Sequence, residues 1–464
     1  MFIGRKSELS ELNEIYSRKG FRFVVIYGRR RVGKTALITE FIKDKDSVFY
    51  ISIEQNDKAA LRDFSAKVLE RFPSAASVID SFSSWDIALS YISDQAGNDR
   101  VVLAVDEYPY LASGNPSISS ILQKHIDTSF QSTNLFLILC GSSMSFMENQ
   151  VLGYKSPLYG RRSAQLHIEP FDYYDVGLFF PQAEYEDKML AYAVCGGIPQ
   201  YLNAVAEHGS VTDGIYECFL KKSGVLYEEP ENLLKQELRE PAVYNTLVAS
   251  IAGGASRLND ISTKSGEENK KCSKYLKSLV DLHILYKEYP YGVQTERKSI
   301  YVLLDNMFRF WYRFIPQNVT AIESGLGRQV LETRIVPGLP VYIGHIFEDA
   351  CREYMKRQNG KSVLPFMFDG IGRWWGTNPN TKAQEELDIL ADAGEKAIFG
   401  ECKWKAAAPG MDTLVELKRK SEMFTWYTDV SYIVFSKTGF QQSLFEAASQ
   451  KNAMLVSLQE LYNL

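Results

Sequence analysis

The sequence lacks the features that mark exported, membrane-spanning or disulfide-stapled proteins. Its six cysteines are scattered over 464 residues without a CxxC pair or a regular spacing, which argues against a disulfide framework or a zinc site. No apolar run approaches the ~18 to 20 residues that a membrane span needs, and no signal peptide precedes the charged start GRKSELSEL. We therefore predict a soluble protein of the reducing cytoplasm that has no membrane partner.

An excess of positive charge is also absent. The formal net charge is -5, from 52 Lys and Arg against 57 Asp and Glu, so the chain does not coat nucleic acid along its whole surface, and any such contact is local. The rest of the composition is ordinary, with 45% hydrophobic and 23% charged residues. Because domains usually run from ~50 to ~250 residues, this length predicts several of them.

The strongest positive signal is a glycine-rich loop between a strand and a helix. The apolar run FRFVVIY is followed by GRRRVGKT and then by the helical pattern ALITEFIK. In this setting GxxxxGK[ST] predicts a loop whose backbone N–H groups face phosphates. Lys34 is predicted to reach the β- and γ-phosphates of ATP, and Thr35 to bind Mg²⁺. The predicted nucleotide-binding residues of the loop are Gly28, Arg29, Arg30, Arg31, Val32, Gly33, Lys34, Thr35 and Ala36.

Two further apolar runs predict the other half of this site. VVLAVDEYPYL leads into Asp106 and Glu107, as in a Walker B element, with Asp106 beside the magnesium and Glu107 as general base for the attacking water. LFLILCGSS brings Ser142 or Ser143 to the edge where the phosphates should lie, as a sensor of the γ-phosphate. This order of elements predicts an α/β fold with a parallel sheet between helices.

Two arginines are candidates for stabilising the transition state. The loop SPLYGRR carries Arg161 and Arg162, and a guanidinium near the γ-phosphate can stabilise the charge that develops there. Either arginine could serve as an arginine finger. A solvated surface pair is the alternative, and the sequence leaves both interpretations open.

The motifs together resemble a known group of ATPases. FIGRKSEL, GRRRVGKT, VDEYPYL, CGSS, SPLYGRR, EPF and GGIPQYL are similar to the motifs of archaeal and bacterial P-loop ATPases of the AAA+/STAND-like group. The resemblance implies that Gly4 and Arg5 lie near the adenine. It also implies that Gly197 and Pro199 belong to a helical lid that closes over the nucleotide.

The middle of the chain predicts a winged helix-turn-helix, because short helices separated by a polar turn precede a strand-like segment. Its third helix is predicted to bury Tyr275, Leu279 and Leu282. The same helix is predicted to expose four lysines, Lys270, Lys271, Lys274 and Lys277. These lysines could contact the phosphates of DNA, which we favour over RNA, and a rigid protein-contact spacer is the alternative.

A second chemical site is predicted near the C-terminus. Glu348 falls in a helix, Asp388 in a strand, and Glu401 lies two residues before Lys403 in the next strand. Positions i and i+2 of a strand share a face, so Glu401 and Lys403 can share a site. The three carboxylates could bind Mg²⁺ while Lys403 orients or deprotonates a water. An alternating surface strand is the alternative interpretation.

This spacing resembles the PD-(D/E)xK nuclease fold, which is a restriction-endonuclease-like α/β domain. The segments SIYVLLDNMFRFWYRFI, GRWWG and EELDILA also resemble ATPases that carry an uncharacterised C-terminal domain. The proline that opens the nuclease signature is absent, because Leu387 precedes Asp388. The predicted order is an ATPase core (1–180), a helical lid (181–238), a winged helix (239–315), a linker (316–340) and a nuclease-like domain (341–464).

Three functions follow as hypotheses. The leading one is an ATPase whose nucleotide state controls metal-dependent cleavage of DNA or RNA by the C-terminal domain. The second is a STAND-type signalling switch that assembles on ATP, as a homo-oligomer or with a protein partner, and cleaves nothing. The third is a transcriptional regulator that binds DNA through the winged helix. Metal-dependent cleavage distinguishes the first hypothesis from the other two.

Overall fold

The computed structural model of the chain describes residues 2–463 apart from 98, 294, 380 and 451. The chain divides into two compact units. The first comprises Met1–Pro170 with Ile198–Gln200, and the second comprises Phe171–Gly197 with Tyr201–Leu464. In the described part of the chain, no helix is long and apolar enough to cross a membrane.

The first unit is built on a parallel sheet of five strands in the order β2-β3-β4-β1-β5, which confirms the predicted architecture. The strands are β1 (Arg22–Tyr27), β2 (Ser47–Ile51), β3 (Val102–Asp106), β4 (Phe136–Gly141) and β5 (Ala164–His167). The central strands β3 and β4 are buried along their whole length. Their continuous apolar sequences suit a sheet that is covered on both faces.

Helices pack on this sheet, and those that lie between residues 57 and 146 share one apolar core with its strands. The helices of the unit are α1 (Lys6–Ser17), α2 (Lys34–Ile42), α3 (Asp57–Arg71), α4 (Trp85–Ala96), α5 (Tyr108–Gly114), α6 (Ile118–Asp127) and α7 (Met144–Phe146). Polar side chains fix where two of them begin. Asn56 accepts a hydrogen bond from the Ala59 amide at the start of α3, and Ser84 accepts one from the Ile87 amide at the start of α4; such caps satisfy amides that a first helical turn leaves unpaired.

The second unit begins with a helical region. Its helices are α8 (Tyr173–Gly177), α9 (Tyr185–Cys195), α10 (Pro199–Ala206), whose first two residues belong to the first unit, α11 (Val211–Phe219) and α12 (Glu229–Glu237). The second glycine of the GGIP motif has a clear packing role here. A Cβ on Gly197 would lie 1.8 Å from the carbonyl oxygen of Phe171, and the Phe171 amide donates to the Gly197 carbonyl at 2.8 Å. Only glycine permits this close approach of two backbones.

Three helices and a hairpin follow. They are α13 (Pro241–Ala252), α14 (Leu258–Ser265), α15 (Asn269–Asp281) and the antiparallel pair β6 (Leu285–Glu288) and β7 (Ile300–Leu303). Helix α15 buries Tyr275 and Leu279 as predicted, but the prediction for Leu282 was wrong. Helix α15 ends at Asp281, so Leu282 follows its last turn and is half-buried, and Leu276 is buried instead.

The predicted linker consists of short helical turns in the structure. After α16 (Asn306–Phe314), the chain forms Pro316–Asn318, α17 (Val319–Ala321), Ile322–Leu326, α18 (Gly327–Val330), Leu331–Ile335 and Val336–Gly338. These turns bury Ile322, Val330, Leu331 and Ile335. Because the apolar side chains pack inward, the segment is a folded part of the second unit.

The C-terminal part of the second unit is a second sheet with the order β12-β11-β10-β9-β8. Its elements are α19 (Leu339–Gln358), β8 (Gly370–Thr377), β9 (Gln384–Ala393), β10 (Lys396–Lys403), α20 (Met411–Ser421), β11 (Asp429–Ser436), α21 (Gln442–Gln450), β12 (Ala453–Ser457) and α22 (Leu458–Tyr462). Strands β8, β9 and β10 pair antiparallel, and β10, β11 and β12 pair parallel. The predicted C-terminal sheet domain is therefore present.

Candidate functional site

The glycine-rich loop connects β1 to α2 and has the backbone that phosphate binding requires. Arg31 and Gly33 have φ values of 69° and 90°, and alternation of this kind turns successive N–H groups toward one point, which favours an anion. A Cβ on Gly28 would lie 2.3 Å from the Ile168 carbonyl oxygen. The loop is therefore packed against the chain beyond β5, and a larger residue at position 28 would displace it.

Lys34 begins α2 and lies inside the loop. Its side chain is buried, with 5% exposure, and Nζ donates to the carbonyl oxygens of Gly28 and Arg29, both at 2.9 Å. Burial lowers the pKa of Lys34, while the nearby Cys140, Glu107 and Asp106 oppose this shift. The ammonium group therefore lies at the N-terminus of α2. The helix dipole and the free N–H groups at that end would also attract phosphates.

Thr35 and Asp106 are hydrogen-bonded to each other. The hydroxyl Oγ1 of Thr35 donates to Oδ2 of Asp106 at 2.6 Å, and the Glu107 amide donates to the other carboxylate oxygen at 2.9 Å. Asp106 is 1% exposed and lies at the end of β3. These oxygen ligands beside a phosphate-binding loop fit Mg²⁺, which prefers a few protein oxygens together with water and phosphate.

Glu107 is held by the predicted sensor residue. The amide and hydroxyl of Ser142 donate to Oε2 of Glu107 at 3.3 and 2.8 Å. Ser142 follows β4 and Glu107 follows β3, and these strands are neighbours in the sheet. Gly141, which precedes Ser142, is closely packed, because a Cβ there would lie 2.6 Å from Sδ of Met147 and 2.8 Å from Cδ of Pro109. The structure thus joins Ser142 to Glu107 directly, a contact that sequence reasoning missed.

Arg5 has a bracing role that sequence reasoning also missed. Its Nη2 donates to the carbonyl oxygens of Val32 at 3.0 Å and Glu169 at 2.6 Å, and its Nη1 bonds Glu8 at 2.9 Å. The FIGRKSEL segment therefore stabilises the phosphate-binding loop through its contact with the Val32 carbonyl oxygen. The prediction that Gly4 and Arg5 lie near adenine stays a prediction.

The two candidate arginine fingers differ in their surroundings. Arg161 makes a bidentate ion pair with Asp127, with both contacts at 2.7 Å, and also donates to the carbonyl oxygens of Pro157 and Tyr159. It anchors its own loop to α6. Arg162 is half-buried beside a surface pocket of about 400 Å³ and makes no hydrogen bond or ion pair within the described residues. The arginine-finger role of either residue stays a prediction.

Pro199 lies against the phosphate-binding loop. A Cβ built on Gly33 would stand 3.6 Å from Cγ of Pro199, so the two residues are close neighbours within the first unit. Contact of Pro199 with a nucleotide stays a prediction. The lid movement itself stays a prediction.

The C-terminal carboxylates meet at one end of two paired strands. Strands β9 and β10 are antiparallel, and the last pair of their register is Gly400 with Ile389. The next residues along the two strands are Glu401 and Asp388, and the charge of Glu401 acts on the Asp388 carboxyl. The Cys402 amide donates to Oδ2 of Asp388 at 2.8 Å. Burial, then the charges of Glu401 and Glu348, raise the pKa of Asp388 to about 7.

Two lysines neutralise this cluster. Lys403 contacts Oε1 of Glu401 at 2.5 Å, as its i+2 position predicts, and Lys420 of α20 contacts Oε2 at 3.5 Å. Sequence reasoning missed Lys420, since only the packing of α20 against β10 brings it there. Within the described ranges, no three His, Cys, Asp or Glu side chains are grouped closely enough to hold a metal. A metal ion at Glu401 would have to displace both ammonium groups, and the metal-ligand roles of Glu348, Asp388 and Glu401 stay predictions.

Comparison with known proteins agrees with an ATPase domain in the first part of the chain. Residues 2–205 match an ATPase domain predominantly from Archaea. The chain is 32% identical over 408 residues to the uncharacterized protein MJECL04 of Methanocaldococcus jannaschii, a match that covers 87% of this chain and 88% of the relative. The chain belongs to this family of archaeal P-loop ATPases.

Other matches cover parts of this chain. Residues 311–420, which include the whole carboxylate and lysine cluster, match a domain described as Archaea bacterial proteins of unknown function. The Walker-type ATPase PABY2304 of Pyrococcus abyssi has the same fold, with a TM-score of 0.50, 18% identity and coverage of 67% of this chain and 96% of that one. The Aeropyrum pernix ORC2 protein, solved as ADPNP and ADP complexes, has a TM-score of 0.47 at 12% identity and covers 72% of this chain and 95% of that one.

Proposed function

We propose that this ATPase hydrolyses Mg-ATP with Glu107 as general base and that its nucleotide state controls the C-terminal carboxylate site. The observation that carries the first half is the connected set of bonds from Thr35 to Asp106 and from Ser142 to Glu107. When bound, magnesium would neutralise phosphate charge and is expected to be held by Thr35, with Asp106 behind it. Lys34 would bind and orient the phosphates.

Ser142 has a defined part in this mechanism. In the structure its hydroxyl is bonded to the carboxylate that must polarise water. A γ-phosphate oxygen would compete for that hydroxyl, because it is a charged acceptor of the same kind. Binding of a triphosphate would therefore release Glu107 toward water, and a diphosphate would leave it bonded to Ser142.

The test of the ATP site compares two variants. Lys34→Ala should abolish tight binding of ATP, because the buried ammonium is the group placed to contact the phosphates, and hydrolysis should disappear with it. Lys43→Ala, on the exposed end of the same helix, is the matched control and should bind and hydrolyse ATP normally. Equal turnover in the two variants would contradict the assignment.

A second function, metal-dependent cleavage of DNA or RNA, is favoured by one observation. The Glu401 charge acts on Asp388 and Lys403 contacts Glu401, so two carboxylates and a lysine, residue types that a metal-dependent phosphodiesterase uses, lie near one another. When bound, a divalent ion would supply Lewis-acid stabilisation of the phosphate. Lys403 would orient the water, and Lys420 would hold Glu401 until the ion binds.

Nuclease action is tested with labelled single- and double-stranded DNA and RNA in Mg²⁺ or Mn²⁺, with and without ATP. Lys403→Ala should lose cleavage. Lys396→Ala, at the exposed start of the same strand, is the control and should retain it. Absence of cleavage by the unaltered chain, with ATP binding intact, would favour an ATP-dependent assembly switch with a protein partner.

A contact with DNA by α15 is part of the same proposal. Lys270, Lys274 and Lys277 are exposed, whereas Lys271 is half-buried and paired with Glu267 at 2.8 Å. Each phosphate contact steepens the salt dependence of binding. Replacing Lys274 and Lys277 by Gln should therefore weaken DNA binding and reduce its salt slope, and an unchanged slope would remove α15 from the interface.

A further inference from the structure

A cavity of about 300 Å³ lies in the second unit, between the β6–β7 hairpin and helices α16 and α19. Its volume is at the lower end of the ~300 to 1,000 Å³ that small-molecule sites occupy. Apolar side chains, among them Ile251, Val302 and Ile346, form part of its wall. The cavity is separate from the ATP site and does not depend on any cleavage by the C-terminal cluster.

The charged residues of the cavity wall are unequal in number. Four arginines, Arg309, Arg313, Arg352 and Arg373, face three carboxylates, those of Glu288, Glu348 and Asp349. His345 also lines the cavity and lies 3.4 Å from Glu348. The lining therefore has a net positive charge.

Two of the arginines share one carboxylate. Arg309 bonds Asp349 at 3.0 Å, and Arg352 bonds the other oxygen of the same group. Both guanidinium side chains are mostly buried, with 15% and 12% exposure. A buried cation that shares its counter-ion lacks full compensation, which favours binding of a further anion.

Arg373 provides an independent observation. Its Nη2 donates to Glu288 at 2.8 Å and its Nη1 contacts Glu386 at 3.2 Å. Its Nε is buried and has no hydrogen-bond partner within the described residues. Buried N–H donors are rarely left unpaired, because the lost hydration costs free energy that no bond returns.

We propose that this cavity binds a small organic phosphate, with Arg309, Arg352 and Arg373 as the anion-binding groups. A phosphate presents several oxygens, and guanidinium groups from different elements can bind them at once through paired N–H donors. Tyr286 and Tyr301 on the hairpin offer rings to the organic part of the ligand. The ligand would connect the hairpin to α19, the helix that also carries Glu348.

The test is calorimetric titration of the full-length chain with pyrophosphate, AMP and a 5′-phosphorylated oligodeoxynucleotide in phosphate-free buffer. All proteins carry Lys34→Ala so that the ATP site does not contribute. Arg373→Gln should weaken binding at least about tenfold, as loss of a charge-assisted hydrogen bond does. Arg62→Gln is the matched control, because Arg62 lies exposed on α3 and forms a surface ion pair with Asp63 at 3.6 Å; it should bind as its parent does.

A second variant tests the proposal independently, in case Arg373→Gln does not fold. Ala252→Phe adds a ring at the cavity wall and should exclude the ligand without removing a charge. Ligand should also slow hydrogen exchange in β6 and β7. Binding of the oligonucleotide but not of pyrophosphate or AMP would support the anion site and identify its ligand as the 5′-phosphate of a nucleic acid. No binding by any probe, or binding that both variants leave unchanged, would overturn the proposal.

Discussion

Glu353 on α19 provides a stability prediction whose sign and size follow from its surroundings. Its carboxylate accepts hydrogen bonds from the Tyr192 hydroxyl at 3.2 and 3.3 Å and from the Tyr173 amide at 3.4 Å. Burial, followed by the charges of Asp172 and Asp349, raises its pKa from the ordinary 4.5 to about 8. The folded protein therefore keeps Glu353 protonated at neutral pH, whereas the unfolded chain does not.

The direction of the pH effect follows from proton linkage. A carboxyl with a raised pKa in the folded state contributes most to stability below pH 4.5, and this contribution is lost as the pH rises to about 8. The loss corresponds to up to roughly 5 kcal/mol, at about 1.4 kcal/mol for each pKa unit. Glu353→Gln is a neutral analogue of the protonated side chain, so it avoids this loss.

Urea unfolding between pH 5 and pH 9, followed by tryptophan fluorescence, measures the difference. Glu353→Gln should unfold close to the unaltered protein at pH 5 and at higher urea at pH 9. Glu332→Gln, on an exposed turn of the same unit, is the control and should show no such trend. A stability difference that is independent of pH, or that is larger at pH 5, would refute the reasoning.

Three further predictions concern single residues. Gly197→Ala should destabilise the second unit by more than about 3 kcal/mol in urea unfolding, because its Cβ would lie 1.8 Å from a backbone oxygen; Gly209→Ala, which meets nothing within 4 Å, should be tolerated. Ser142→Ala should lower kcat by about 5- to 150-fold with a smaller change in the affinity for ATP, as one lost hydrogen bond of ~1 to 3 kcal/mol implies. Arg162→Ala should reduce turnover more than Arg161→Ala in steady-state assays, since Arg161 is bound to Asp127; the reverse order would contradict the assignment.

The sequence predicted what depends on local pattern. Apolar runs predicted three of the five strands of the first sheet, β1, β3 and β4, and the loop motif predicted where Lys34 and Thr35 lie. The motif can be recognised from residue order and spacing alone, because its strand, loop and helix are consecutive in the sequence. The facing of Glu401 and Lys403 followed in the same way from the two-residue period of a strand.

Contacts between distant segments were not predictable. Arg5 reaches Glu169, and Lys420 reaches Glu401, only after whole elements have packed. The segment 316–340 was predicted to be a linker, and the burial of its apolar side chains follows from the packing of its short helical turns within the second unit. Leu282 was predicted to be buried because its spacing continues the helical pattern. The sequence does not show that the helix ends at Asp281.

The central claim is hydrolysis of ATP with Glu107 as general base, and Glu107→Gln tests it most directly. Single-turnover hydrolysis and ATP affinity are measured beside Glu148→Gln, an exposed glutamate of the same unit. The account predicts that Glu107→Gln binds ATP normally and hydrolyses it about 10² to 10⁴ times more slowly, while the control is unaffected. Hydrolysis by Glu107→Gln at the rate of the unaltered protein would contradict the account.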